Sequence, residues 1–351
     1  MRNVPSFAIV ALFPAGLLAL GAILGGAWAW AALLYMTLIA WALDKLIAVR
    51  AAPADPASDP DSDTDPAAAN RLSVFLGIVH FVLLGLTIRA LAADGLGPLG
   101  WIGLFLGAGL FFGQVSNANA HELIHRADRR LFQLGKWIYI SLLFGHHTSA
   151  HTKVHHRCAA TPDDPGTARL GESFYAFAPR AWRGGFRKGY EMERADIMRR
   201  GTGGATPYLT YIVGAAGFLI LAALTFGWAG LLTYVLLAAY AQLQLLLSDY
   251  VQHYGLTRSL GEDGKPEPVG ADHSWNAGGW FTAHLMLNGP LHSDHHAHPA
   301  RPYPALALPD PATAPRLPAS LPVMSVLALY PAGWRRVMHR VLDARARRAG
   351  T

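Results

Sequence analysis

Six long apolar stretches, at roughly 7–24, 27–48, 72–92, 98–120, 207–226 and 229–250, dominate this chain. Each approaches or reaches the ~20 residues that cross a hydrocarbon core as helix. In lipid every backbone N–H and C=O must find its partner inside the protein, so such stretches form helices or closed barrels. Their length and continuous apolarity select helices. The stretches fall into three close pairs, joined by short, nearly uncharged connections at 25–27, 92–98 and 227–228. The predicted fold class is therefore all-α integral membrane, a six-transmembrane-helix bundle forming one domain over residues 1–351.

Charge decides the orientation. Only 15% of residues are charged, against about 25% in soluble domains. The basic residues gather between the pairs, above all from Arg126 to Arg200. The positive-inside tendency then places both termini and segments 121–206 and 251–351 in the cytoplasm, with the bundle in the cell inner membrane. The N-terminal stretch has the arginine and apolar run of a signal peptide. It is long, a second run follows at once, and no small-residue cleavage site fits, so it reads as an uncleaved anchor. Residues 51–71, rich in Pro, Asp, Ser and Ala, bury too little to order themselves and read as a flexible linker. Segment 131–145 is too short to span and reads as a re-entrant or interfacial helix. The stretch 319–340 reads as an amphipathic helix on the membrane surface. The net charge of +6 suits lipid headgroups or an acidic protein partner. With no reader motif, nucleic acid is not an expected partner. Cys158 is the one cysteine, which excludes an internal disulfide and a cysteine-held iron–sulfur cluster.

Fourteen of the 16 histidines lie between positions 121 and 298, in or beside the basic segments. HELIH places His121 and His125 on one helix face. HTKVHH carries His151, His155 and His156; the sixth stretch ends at His253; HSDHH carries His292, His295 and His296. All four places fall on the side assigned to the cytoplasm, so they can meet at one end of the bundle. Neutral imidazole is a general ligand for iron, zinc, copper and nickel. Nine rings exceed the four to six ligands of one metal, and two metals at four or five each use them all.

HxxxH, HxxxHH and HxxHH, in that order on paired membrane helices, resemble the membrane di-iron desaturase–hydroxylase superfamily. HELIHR, HHRCAATPDDP, YVQHYGL, HSWN and LHSDHHAHP–RPY are similar to its alkane 1-monooxygenase branch, which includes xylene-type monooxygenases. The likeness runs from the apolar stretches to about Tyr303. It implies two non-haem irons held by the nine histidines His121, His125, His151, His155, His156, His253, His292, His295 and His296, with O2 as co-substrate. It implies hydroxylation of an unactivated terminal C–H bond of an alkane or related alkyl chain. Lacking an iron–sulfur centre, the chain then needs a rubredoxin or ferredoxin and its NAD(P)H reductase. Several positions depart from the branch pattern. Ala150 and Gln252 stand where it usually has Glu, Asp249 where it has Asn, and Pro290-Leu291 where it has Gln-Arg.

Other readings compete. Within the superfamily a fatty acyl desaturase or hydroxylase uses similar histidines, and His253 favours the monooxygenase branch. HELIH also marks zinc proteases, with Glu122 as base; in the di-iron reading Glu122 bonds a ring N–H instead. A metal-binding or transport protein would carry polar ligands within the spans, which are nearly free of them. Asp164, Gln252, His273 and Asp294, like Glu122, are candidates to orient ligand rings. Asp163 and Asp164 equally suit a turn. His80 reads as a hydrogen-bonded residue of the bundle, His146 and His147 as surface or ligand support, and His284, His298, His339 and Cys158 as bystanders. Arg180 to Arg200 suits membrane-facing charge or docking of an acidic electron carrier. Trp28, Trp30 and Trp41 suit lipid contact, packing or the wall of an apolar channel.

Overall fold

A computed structural model describes residues 4–50, 65–201 and 203–349. Most of the predicted linker 51–71 lies outside the described residues; its last part, from Pro66, is already helix. Helix is the main regular structure among the described residues, which hold only two isolated bridge pairs and no strand.

Five helices are long and apolar enough to cross a membrane: α1 Val4–Leu24, α2 Gly26–Ile47, α3 Pro66–Ala92, α4 Gly97–Ile124 and one of 46 residues, Tyr208–His253. Local chemistry sets their ends. Asp65 caps α3, its carboxylate accepting from Ala68 N at 2.9 Å with Pro66 at the first turn, where proline's missing N–H costs nothing. Gly25, with φ 63°, reverses the chain between α1 and α2. The 46-residue helix is broken at Gly227, whose φ of 66° and ψ of −165° are not helical. Unbroken, it would extend about 69 Å, more than twice a hydrocarbon core. The break falls in the connection expected at 227–228, and Leu224 and Trp228 beside it are 82% and 84% exposed.

Between these lie α5 Arg129–Ser141, a helical segment 147–158 (α6) and α7 Phe174–Arg200; the broken 46-residue helix is α8. Asp128 caps α5 through Arg130 N at 2.7 Å. At 13 residues α5 is too short to span; it packs along the end of α4, and Gly135 is where the two meet most closely. Short helices α9 Trp280–Leu285 and α10 His292–Ala297 follow α8. The amphipathic stretch expected at 319–340 is instead two helices, α11 Leu321–Ala328 and α12 Pro331–Ala349. Pro331 separates them, since it cannot donate to the preceding turn.

His80, in α3, is fully buried and uses both ring nitrogens, bonding Ser116 Oγ at 2.9 Å and Ser141 Oγ at 2.8 Å. It ties α3 to α4 and α5, as its sequence position suggested. Ser116 closes a π-helical turn at Phe111–Ser116, and a second occupies Ala150–His155. Such turns are frequent at functional sites. Four residues separate the first from HELIH; the second contains His151 and His155 and is followed directly by His156.

Candidate metal centre

The ends of α4 and α8, together with α6 and α10, bring all nine histidines to one place. They form two groups, His121, His125, His151, His156 and His295 in one, and His155, His253, His292 and His296 in the other. Within each group the nearest ring nitrogens lie within 4.8 Å of one another. The grouping cuts across the sequence motifs. His155 and His156 are neighbours but serve different groups, and so do His295 and His296.

Backbone geometry explains the first of these splits. An α-helix turns 100° per residue, so positions five apart diverge by about 140°. The π-helical turn Ala150–His155 closes i to i+5 instead. His151 and His156 therefore face one another, Nε2 to Nε2 at 3.0 Å, and His155 is swung aside. His156 Nε2 lies 3.2 Å from His295 Nε2. In the second group, His292 Nε2 is 3.0 Å from His253 Nε2 and 3.1 Å from His296 Nε2. Two imidazoles bound at right angles to one ion by bonds of about 2.1 Å would stand about 3.0 Å apart.

The electrostatics suit cation binding. Burial, and then the neighbouring rings, hold His125, His151, His156, His292, His295 and His296 well below the ordinary 6.5, so they are neutral and keep a lone pair. His155 differs. Burial lowers it, but the Asp164 carboxylate outweighs burial and the net shift is upward. Its Nδ1–H donates to Asp164 Oδ2 at 2.8 Å. Asp164 is buried, which raises it, yet His155 and Thr167 hold it down at about 2. His125 Nε2 and His155 Nε2 are buried with no hydrogen-bond partner, which is costly for a polar atom unless it has a cation to face. An all-imidazole set of four and five donors fits two transition-metal ions.

The other supporting residues are placed as follows. His253 Nδ1–H donates to the backbone oxygen of His273 at 3.3 Å, so His273 reaches the site through its carbonyl while its ring bonds Gly270 N and Glu267. Glu122 reaches no ring N–H: it pairs with Arg126 and accepts from Tyr303 N at 3.2 Å. Asp294 bonds Arg301, His298 and Ala307 N, fixing the chain after α10. Gln252 Nε2 donates to Gly289 O at 3.0 Å and fixes the chain before α10. Asp163 pairs with Lys188 near the surface. His146 packs on Phe144 and Trp182, while the His147 ring sits 5.3 Å from that of His151. Asp44, which sequence reading passed over, accepts from Phe281 N at 2.7 Å and Thr282 N at 3.1 Å and so anchors α9 to α2. Its only sequence signal is a carboxylate inside an apolar run.

An apolar cavity of about 410 Å³ lies among α2, α4, α8 and α11, with Trp41, Leu110, Leu285 and Val326 in its wall. Trp28 and Trp30 are not in that wall; Trp30 lies against Gly103 instead. A smaller cavity of about 60 Å³ reaches His121 and His292. The two share Gly113, Gln114, Ser248, Met286 and Leu321 in their walls. The two cavities therefore adjoin, and the smaller one reaches a member of each histidine group.

The sequence pattern of the family described as fatty acid desaturase matches residues 96–328, more than half the chain. The chain is 34% identical to alkane 1-monooxygenase 1 of Pseudomonas aeruginosa over 69% of this chain and 63% of that protein. It is 30% identical to alkane 1-monooxygenase 2 of Alcanivorax borkumensis over 90% of this chain and 83% of that protein. It is 24% identical to the xylene/toluene monooxygenase hydroxylase component of Pseudomonas putida over 57% and 53%. The match spans 63% and 64% of the length of the two Pseudomonas aeruginosa alkane 1-monooxygenases.

Proposed function

The chain belongs to the fatty acid desaturase family, and from that premise we propose that it is a membrane-bound alkane monooxygenase. It inserts one atom of O2 into an unactivated terminal C–H bond of an alkane or related alkyl chain. The other oxygen atom leaves as water, with two electrons from a reduced rubredoxin or ferredoxin and two protons. The observation that carries this reading is the meeting of two all-histidine groups with an apolar cavity. The alkane 1-monooxygenase relatives support the same reaction.

A pair of iron ions held by the nine histidines would supply the oxygen chemistry, which no side chain performs. The chain's own residues do the rest. Burial keeps the rings neutral and ready to bind. Asp164 accepts a hydrogen bond from the His155 Nδ1–H, so that Nε2 faces the site, and such a carboxylate raises the basicity of the ring. The His273 carbonyl does the same for His253. The 410 Å³ cavity takes a chain that has partitioned into the bilayer, and the smaller cavity beside it takes the chain's end against His121 and His292.

In this reading the Gly227 break divides α8 into a fifth and sixth span, so both histidine groups face the cytoplasm of the inner membrane. That is the side where a soluble electron carrier docks. Arg180, Lys153 and Lys188 are already paired with Glu172, Glu193 and Asp163, so docking falls to other basic residues. The protease reading is poorly served, because Glu122 is held by Arg126 and HELIH shares its group with three further histidines.

The deciding experiment is metal analysis of the chain purified in detergent, with Mössbauer spectra of an iron-57 sample, followed by product analysis. About two irons per chain, and primary alcohol from an alkane given O2 and a reduced carrier, are expected. One zinc and no iron would overturn the proposal.

A further inference from the structure

A buried amide where the two cavities adjoin has nothing to bond. Gln114 sits in the π-helical turn Phe111–Ser116 and lines both cavities. Its Oε1 is buried with no hydrogen-bond partner, and among the described residues its Nε2 bonds nothing either. Ser248, on α8, lines both cavities as well, and its hydroxyl likewise makes no bond among the described residues. Several neighbouring polar groups are committed. Gln244 Nε2 donates to Gly109 O at 2.6 Å, Asn117 Nδ2 to Ala241 O at 2.9 Å, and Thr282 bonds Asp44.

An unpaired amide and hydroxyl at membrane depth are expensive, and an alkane passing them cannot repay that cost. Resting on the alkyl-chain reading above, we propose that Gln114 and Ser248 form a hydroxyl-binding subsite. The substrates of this chain then include alkyl chains already bearing a hydroxyl, set back from the carbon presented to the histidines. A hydroxyl is the group that both donates to Gln114 Oε1 and accepts from Ser248 or Gln114 Nε2; a ketone or ether oxygen leaves Oε1 unmet. The subsite lies where the two cavities join, whereas the reacting carbon lies beyond it beside His121 and His292. The bound hydroxyl is therefore not the one the reaction makes, and the product is a diol. An earlier reaction that places a hydroxyl on the chain must supply such a substrate.

The test is binding to the full-length chain in detergent, by competition against a radiolabelled alkane. The competitors are dodecanols with the hydroxyl moved along the chain, each paired with the isomer carrying a methyl branch at the same carbon. At one interior position the hydroxyl should beat the methyl by about tenfold, and Gln114→Leu should abolish that preference. Ser248→Ala should weaken the preference, which keeps the test open if the leucine variant folds poorly. Equal binding of hydroxyl and methyl at every position would overturn the subsite and leave the two groups with water only. A preference that survives in both variants overturns it too. Turnover of plain dodecane by the wild type is scored alongside: if dodecane is hydroxylated without any hydroxyl preference, only the subsite falls. If neither chain is hydroxylated by the iron-loaded protein, the alkane reading itself falls.

Discussion

His151 and His156 stand five positions apart, yet their Nε2 atoms are 3.0 Å apart, because the turn between them is π-helical. The same turn sends His155 to the other group, where Asp164 holds its Nδ1–H. Two adjacent residues thus belong to different groups. His155→Ala should lose the metal of the four-histidine group and keep the other, and His156→Ala should do the reverse. Metal content near one per chain in each variant, with different Mössbauer signals, is the expected result; identical signals would contradict the split.

Asp164 touches the site only through His155, so its role is positioning. Asp164→Asn keeps an acceptor but removes the charge that raises the ring's basicity. Metal affinity of the four-histidine group should fall about 10- to 100-fold, with the five-histidine group unchanged. Competition with a chelator, read group by group from the spectra, checks this.

Much of this was legible beforehand. Apolar run length located the spans, and the paired stretches 207–226 and 229–250 anticipated the Gly227 break inside one long helix. The nine histidines were legible because imidazole is rare enough for its clustering to stand out. Their partition was not, since spacing on an ideal α-helix pairs His151 with His155, and nothing local announces a π-turn. Nor was the role of Asp44 or the His273 carbonyl, because a carboxylate capping a distant helix and a backbone oxygen leave no pattern in spacing. The division of 319–340 was missed because its amphipathic pattern continues across Pro331.

The metal-free chain should lose thermal stability as pH falls below about 6.5. His151, His156, His292, His295 and His296 are held well below their ordinary 6.5 by burial, so below that pH the unfolded chain binds more protons than the folded one. His155, raised by Asp164, acts in the opposite sense but is a single ring. Asp164, held down at about 2, loses its contribution only as pH falls from about 4 toward 2. A melting temperature that is flat between pH 7 and 5 would contradict the neutral, buried cluster. With metal bound the same protons compete for the ring nitrogens, so affinity should fall over the same range.

Met286 borders both cavities, and filling the junction should part binding from chemistry. In Met286→Trp the metal content should stay at the wild-type value while turnover of long alkanes falls by about 100-fold or more. Short chains that stop before the junction should still occupy the outer cavity and compete with long ones. Equal loss of metal and turnover would mean that the residue supports the fold rather than the junction.

Gln252 and Asp249 lie one turn apart at the end of α8 and line the same small cavity. The resemblance to the alkane 1-monooxygenase branch implies Glu and Asn at these two positions, where this chain has Gln and Asp. Gln252→Glu alone replaces the donor that holds Gly289 O with an acceptor. It also sets a second carboxylate beside Asp249, where one of the pair must take up a proton. That variant should bind metal more weakly and melt lower. Asp249→Asn in the same chain removes the repulsion, so the double variant should recover part of both losses. A coupling of at least ~0.5 kcal/mol in the double-mutant cycle is expected; strict additivity would show that the two positions do not sense one another.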